Sequence, residues 1–343
     1  MRLNTTLTLL LLACLAVPSA YGQEAGFQDP DVSKAAQTGF KFLSMSLDPR
    51  AAAMSGALTA QDMGGSISMF YNPAGMAYMT GTTDVAVMQT QFIADINYNA
   101  GTIAFSPRGG LYGNFGVSVV AVDYGDFEGT IRANNESGYV DTGIFSPTAL
   151  AVGVGYARAL SDRFAIGGNV KYANQNLGDH YTGRADGELV SDDYSSSTVA
   201  FDFGVLYKTG FRSLNFAMSV RNFAQELKYE QESFELPLTF RIGVAMDVMD
   251  LTSMNQDMHS FRVAVDAVRP RDYAEQLSIG GEYLFMNTLA LRAGYTFPTD
   301  VEGVNLGVGL QQRLAGFGFA FNYAYTTFDV FDAVHRLGIQ LSL

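Results

Sequence analysis

Between residues 316 and 327 the chain reads GFGFAFNYAYTT, with large and small side chains in strict alternation. Phe317, Phe319, Phe321, Tyr323 and Tyr325 fall on one face of an extended strand. Gly318, Ala320, Asn322, Ala324 and Thr326 fall on the other. A water-soluble sheet buries its large apolar face and shows charge outward. A face of aromatic rings backed by tiny or polar residues fits a strand with lipid on one side and a lumen on the other. The pattern recurs. Val199, Phe201, Phe203, Val205 and Tyr207 stand against Asp202. Leu238, Phe240, Ile242, Val244, Met246 and Val248 stand against Arg241 and Asp247. Leu289, Leu291, Ala293, Tyr295 and Phe297 oppose Arg292, and Leu337, Ile339, Leu341 and Leu343 oppose Arg336 and Gln340.

From residue 83 onward this reading predicts fourteen strands: 83–93, 97–106, 112–123, 147–159, 163–176, 196–209, 212–222, 237–249, 259–268, 275–286, 288–297, 302–313, 316–327 and 334–343. Connections after even-numbered strands are short, apart from 250–258. The three longest, 124–146, 177–195 and 223–236, follow odd-numbered strands and are expected to be loops. Short turns at one end and long loops at the other are the habit of outer-membrane barrels, and an even count puts both ends of the wall on the periplasmic side. The expected fold is all-β: a 14-stranded antiparallel transmembrane β-barrel over residues 83–343.

Residues 23–82 do not alternate. They are too apolar for a free tail and too irregular for a wall, so they are expected to form a plug with short helices. Asn72 before Pro73 is a helix start, with Asn capping and Pro in the first turn. Phe40, Phe42, Leu43, Met54 and Met76 are the candidate plug core; a small periplasmic cap outside the barrel is the competing reading. Residues 1–22 read as a secretory signal peptide: Arg2, an apolar Leu7–Val17 and a small-residue cut site at Ala20–Gly22. Lipoprotein processing at Cys14 is the alternative.

Composition agrees with a barrel. The chain is 48% hydrophobic but only 16% charged, with 36 glycines, against about a quarter charged in globular domains. The net charge of −13 gives no basic stripe for nucleic acid. The one cysteine is Cys14, in the leader. His180, His259 and His335 are scattered, and no metal, cofactor or catalytic grouping is evident; an enzyme is not expected. Lys171, Asp202, Arg221, Arg241, Asp247, Arg262, Asp266, Glu282, Arg292 and Arg336 are the candidate lumen-facing charges. They brace the wall and hold the plug, or line a conduction path.

The run FLSMSLDPRAAAMSGALTA followed by MFYNPAGMA resembles the start of PorV/PorQ proteins of the type IX secretion system. The residues that carry the match are Asp48, Arg50, Ala51, Ala52, Met54, Gly56, Asn72, Pro73, Ala74 and, closing the box, Gly75. Ala52 and Ala53 stand where those proteins usually have glycines. That family is in turn similar to FadL fatty-acid channels, fourteen-stranded barrels whose N-terminal plug bears Asn-Pro-Ala. The resemblance implies an outer-membrane protein that receives or hands over secreted cargo, with other secretion components or exported proteins as partners. The alternative it implies is a passive channel for hydrophobic compounds such as long-chain fatty acids, with a small molecule in the lumen.

Overall fold

The computed structural model describes residues 37–343, except 63, 186, 187, 230, 231, 253, 254, 256, 257 and 315. The expected signal peptide and the first part of the expected plug lie outside the described residues.

The described strands are β1 (Thr83–Gln91), β2 (Asn97–Phe105), β3 (Asn114–Asp123), β4 (Phe127–Arg132), β5 (Tyr139–Phe145), β6 (Thr148–Ala159), β7 (Phe164–Ala185), β8 (Glu188–Lys208), β9 (Asn215–Phe223), β10 (Leu227–Lys228), β11 (Ser233–Phe234), β12 (Thr239–Asp247), β13 (His259–Pro270), β14 (Gln276–Phe285), β15 (Leu289–Phe297), β16 (Glu302–Leu314), β17 (Phe317–Phe328) and β18 (Val334–Ser342). Fourteen of them, all but β4, β5, β10 and β11, close into an antiparallel barrel in chain order. β18 returns to pair with β1, from Asp84 opposite Ser342 to Gln91 opposite His335. Closure leaves no wall strand with an unpaired edge, the condition for crossing a hydrocarbon layer with strands.

The alternation is realised as two faces. Phe317 is 61% exposed and Leu291 47% exposed on the outside, whereas Arg292 is 5% and Asp266 0% exposed on the inside. An Arg or Lys on the lipid face at mid-depth costs about 2–4 kcal/mol, which is why ionic residues and greasy residues are sorted so strictly.

The interior is occupied by residues 38–62 and 64–79. The short helix Pro49–Ala53 and the 3-10 turns Lys41–Ser44, Ser66–Phe70 and Pro73–Tyr78 carry its regular structure. Phe40, Phe42, Met54 and Met76 are each at most 1% exposed. A Cβ on Gly294 would lie 2.7 Å from the Ser55 nitrogen, so the wall backbone there meets the inner segment backbone directly. Only glycine permits that approach.

The expected long loops depart from expectation in one respect. Residues 124–146 hold the two-stranded hairpin β4–β5, and 223–236 hold the small pair β10–β11. Residues 177–195 are largely strand: β7 and β8 run on and stay paired as far as Ala185 opposite Glu188. These segments have no greasy face, so their alternation carries no signal of a wall.

Candidate functional site

The inner segment is fastened to the wall by clusters of polar groups, and most of the charges singled out in the sequence belong to them. Asp48 caps the helix Pro49–Ala53, its Oδ2 accepting from the Ala51 N–H at 2.8 Å, with Pro49 in the first turn. Burial pushes the Asp48 carboxyl up, against the pull of the Ala51 N–H and the Arg50 charge. The cap turns Arg50 toward β14. Its Nε and Nη2 donate to the two oxygens of Glu282 at 2.8 and 2.7 Å, a forked pair. Arg292 donates from Nε to the same carboxylate at 2.6 Å, and from Nη1 to Asn322 at 2.8 Å. Ala51 is fully buried, and Ala52 and Ala53 pack on Ala324. A small side chain is needed where the helix lies on the wall.

The Asn-Pro-Ala-Gly turn forms the second cluster. Asn72 Oδ1 accepts from the Ala74 N–H at 3.1 Å and caps the turn opened by Pro73. Its amide donates to the carbonyls of Thr59, at 2.9 Å, and Val205, at 3.1 Å. Thr59 in turn donates from its N–H and hydroxyl to Asp266, at 3.1 and 2.6 Å. A Cβ on Gly167 or Gly204 would overlap Pro73 or Asn72, and one on Gly75 would meet the Ser68 hydroxyl at 2.7 Å.

Elsewhere Lys171 pairs with Asp202 at 2.8 Å and donates to Asn222 at 2.5 Å. Arg221, Arg241 and Arg336 donate to inner-segment carbonyls instead: Leu43 at 3.3 Å, Gly56 at 2.9 Å and Ser46 at 2.9 Å. Arg241 lies 3.9 Å from Asp266.

Two of the expected charges stand apart from these clusters. Asp247, at the end of β12, accepts from the N–H groups of Met249 and Phe261 at 3.0 and 3.1 Å and from Ser260 at 2.5 Å, and so shapes the connection to β13. Arg262 is 3.8 Å from Glu282 and its side chain is 43% exposed. Other anchors were not singled out. Asp84 accepts from the N–H and hydroxyl of Ser66 at 2.7 and 2.6 Å. Asn305 donates to Ser55 at 2.9 Å, and Asn114 to the Met76 carbonyl at 2.5 Å. Lys208 pairs with Asp62 at 2.5 Å over the Tyr78 ring, and Lys41 with Asp272. Position on the small, polar strand face was the available signal for Asp84, Asn114 and Asn305.

Among the described residues no group of three His, Cys, Asp or Glu side chains is placed to hold a metal ion. Arg221, Arg241, Asp266, Glu282 and Arg336 each bond the inner segment, while Lys171 and Asp202 pair with each other within the wall.

The family model of "Type IX secretion system protein PorV" matches residues 28–265 of this chain, a span that takes in the inner segment and the wall as far as β13. The chain belongs to the PorV family. With its closed barrel, this PorV-family chain is an outer-membrane protein of the type IX secretion family. None of the curated proteins matches the sequence significantly. Two solved structures share the architecture of this PorV-family barrel. One is the CymD monoaromatic hydrocarbon channel, 12% identical, covering 87% of this chain and 96% of that one with a TM-score of 0.55. The other is the Pseudomonas putida toluene transporter TodX, 11% identical, covering 86% and 96% with a TM-score of 0.56. At these identities the likeness is one of fold, the FadL-like barrel.

Proposed function

We propose that the protein serves type IX secretion by binding exported cargo, or passing it on, at the end of the barrel that carries the long connections. The observation behind this reading is the PorV match together with a lumen occupied by residues 38–62 and 64–79. A barrel whose interior is pinned at so many points is suited to presenting a surface rather than to conducting. The surface is the β4–β5 hairpin, the extended β7–β8 pair and the β10–β11 pair, held on a rigid wall. This reading places both chain termini on the periplasmic side, residues 23–82 as a plug domain, and the lumen charges in the service of that plug. Affinity purification from native membranes tests it: co-purification of a secretion component or an exported protein is expected, and recovery of neither sinks it.

A second reading is a passive channel for hydrophobic compounds such as long-chain fatty acids. It takes support from the shared fold of the CymD monoaromatic hydrocarbon channel and the toluene transporter TodX. Uptake of a long-chain fatty acid into a strain lacking its own channel tests this reading. A correctly inserted barrel that supports no uptake removes it.

A further inference from the structure

Near the short connections 160–163 and 209–214 the outer face of the wall is hollowed. A recess of about 570 Å³ opens across β6, β7, β8, β9 and β12, bordered by Tyr156, Ile166, Phe203, Met218 and Phe240. These side chains occupy the alternate, outward positions of their strands, and Phe203 is 54% exposed. The floor is Gly168, opposite Phe203 in the β7–β8 ladder. A Cβ there would meet only the Asp202 carbonyl oxygen at 3.6 Å and the Phe203 ring at 3.9 Å, ordinary contact distances. A larger side chain at this position therefore fills the hollow without displacing the wall.

Three arginines stand at the short-turn end of the same strands. Arg158 is the next outward residue of β6 after Tyr156 and lies opposite Ile166, on the border of the recess. Arg163 is in the connection 160–163, and its guanidinium packs on the neighbouring turn, where a Cβ on Gly210 would lie 2.7 Å from its Nη1. Arg212 belongs to that same turn. All three are exposed, and among the described residues no hydrogen bond or ion pair engages their side chains. The two connections contain one carboxylate, Asp162. Of the acidic groups beside them, Asp62 is paired with Lys208, and Asp250 accepts from the Ser213 N–H at 3.1 Å.

Charge and hollow are joined by the strands themselves. Lys208 ends β8 and Phe203 precedes it by five residues, roughly 17 Å of strand at about 3.3 Å per residue. Unpaired cations at the membrane boundary, with an apolar groove running from them toward mid-depth, outline a single amphiphile. Guanidinium groups match phosphate oxygens with forked hydrogen bonds, and basic clusters on membrane proteins recognise anionic head groups.

We propose that this recess holds an acyl chain of one phospholipid whose anionic head group is bound by Arg158, Arg163 and Arg212. The lipid belongs to the leaflet at the short-turn end, where the arginines are, and is held at a defined place, unlike the lipid that surrounds any barrel. The site requires only that the barrel crosses a membrane and does not rest on the secretion reading.

Native mass spectrometry of the full chain in detergent, titrated with phosphatidylglycerol, tests the proposal, with diacylglycerol of the same chains as the neutral match. One phosphatidylglycerol is expected to be retained per barrel, and diacylglycerol to bind at least about tenfold more weakly. Arg158→Gln combined with Arg212→Gln is expected to weaken phosphatidylglycerol by about tenfold or more. Gly168→Leu fills the hollow, leaves all three arginines in place and is expected to weaken it by about tenfold as well. Gly101→Leu, at an equally open outward glycine of β2, is expected to leave binding unchanged. The compact, heat-modifiable band on a gel reports that each barrel is folded. Lipids that add progressively with no preferred first copy overturn the proposal, as does equal retention of diacylglycerol. Tighter binding of lipid A, the phosphorylated lipid of the opposite leaflet, also overturns it. So do Gly168→Leu and Gly101→Leu proteins that bind alike, even if the arginine variant does not fold.

Discussion

Asn72 in the inner segment donates its side-chain amide to the main-chain carbonyl of Val205, in the eighth strand of the chain, at 3.1 Å. The same side chain caps its own turn through Ala74 and reaches back to the Thr59 carbonyl. One residue thus ties together a turn, the segment before it and the barrel wall.

Replacing Asn72 removes these bonds in a buried place. Asn72→Ala is expected to lower stability by about 1–3 kcal/mol, the cost of stranding buried polar groups. Asn72→Asp keeps the cap but sets a carboxylate against two carbonyl oxygens, so it is expected to lose more than Asn72→Ala. Urea unfolding of the barrel in lipid vesicles measures both, and the reverse order would contradict this account of the amide.

Glu282 is the shared acceptor of Arg50 and Arg292. Removing one member of a buried ion pair leaves an uncompensated charge, at a cost of about 3–5 kcal/mol. Glu282→Gln is therefore expected to be strongly destabilising. Glu282→Gln combined with Arg50→Gln is expected to lose less than the sum of the two single changes, because the pair is coupled. A double-mutant cycle in the same unfolding assay decides it, and strict additivity would show that the pair contributes nothing as a unit.

The outer face yields a depth profile. Val308 lies midway along β16 and is 46% exposed, while Leu314 ends the strand and is 65% exposed. Val308→Arg is expected to cost about 2–4 kcal/mol in a bilayer, and Leu314→Arg about 0–1 kcal/mol. Equal losses at the two positions would place the membrane elsewhere on the barrel.

Acid is expected to loosen the front of the inner segment. Asp272 is bonded by Thr38 and Lys41. Burial alone would raise its pKa, but those two donors hold it below the usual aspartate value. A carboxyl depressed in the folded state contributes stability above its unfolded pKa, about 3.9, and loses it as the pH falls through the folded value. Proteolysis near residues 38–41 is expected to rise below about pH 4. Asp272→Asn is expected to be more susceptible already at neutral pH and to lack this part of the pH dependence. A pH profile shared by the two proteins would remove Asp272 as its source.

How much of this was legible depended on whether a segment had a lipid face. The wall strands announced themselves because Phe317 to Tyr325, or Leu289 to Phe297, put large apolar groups at every second position, and the alternation of short and long connections fixed their count. In β5, Tyr139, Asp141 and Gly143 alternate with Val140, Thr142 and Ile144, and neither face is uniformly greasy, so the hairpin read as a loop. The paired continuation of β7 and β8 was hidden for the same reason. At the site, charged residues on the small face drew attention to Glu282 and Arg292. Neutral anchors such as Asn305 and Asn114 did not stand out, because an inward Asn looks the same whether it meets water or a plug. Asp247 illustrates the opposite error: its face was right, but its height at the strand end gave it a turn to cap.

The seam between the first and last wall strands carries a consequence for biogenesis. It joins the two parts of the wall farthest apart in sequence, and Leu343 at that seam accepts from the main-chain N–H groups of Thr82 and Thr83, just where the chain leaves the interior. The filling precedes the first stave and is enclosed by all of them. Its many bonds to strands around the ring form most readily while the sheet is still open, so insertion of this protein is expected to couple loading of its contents to the final zipping of its circumference.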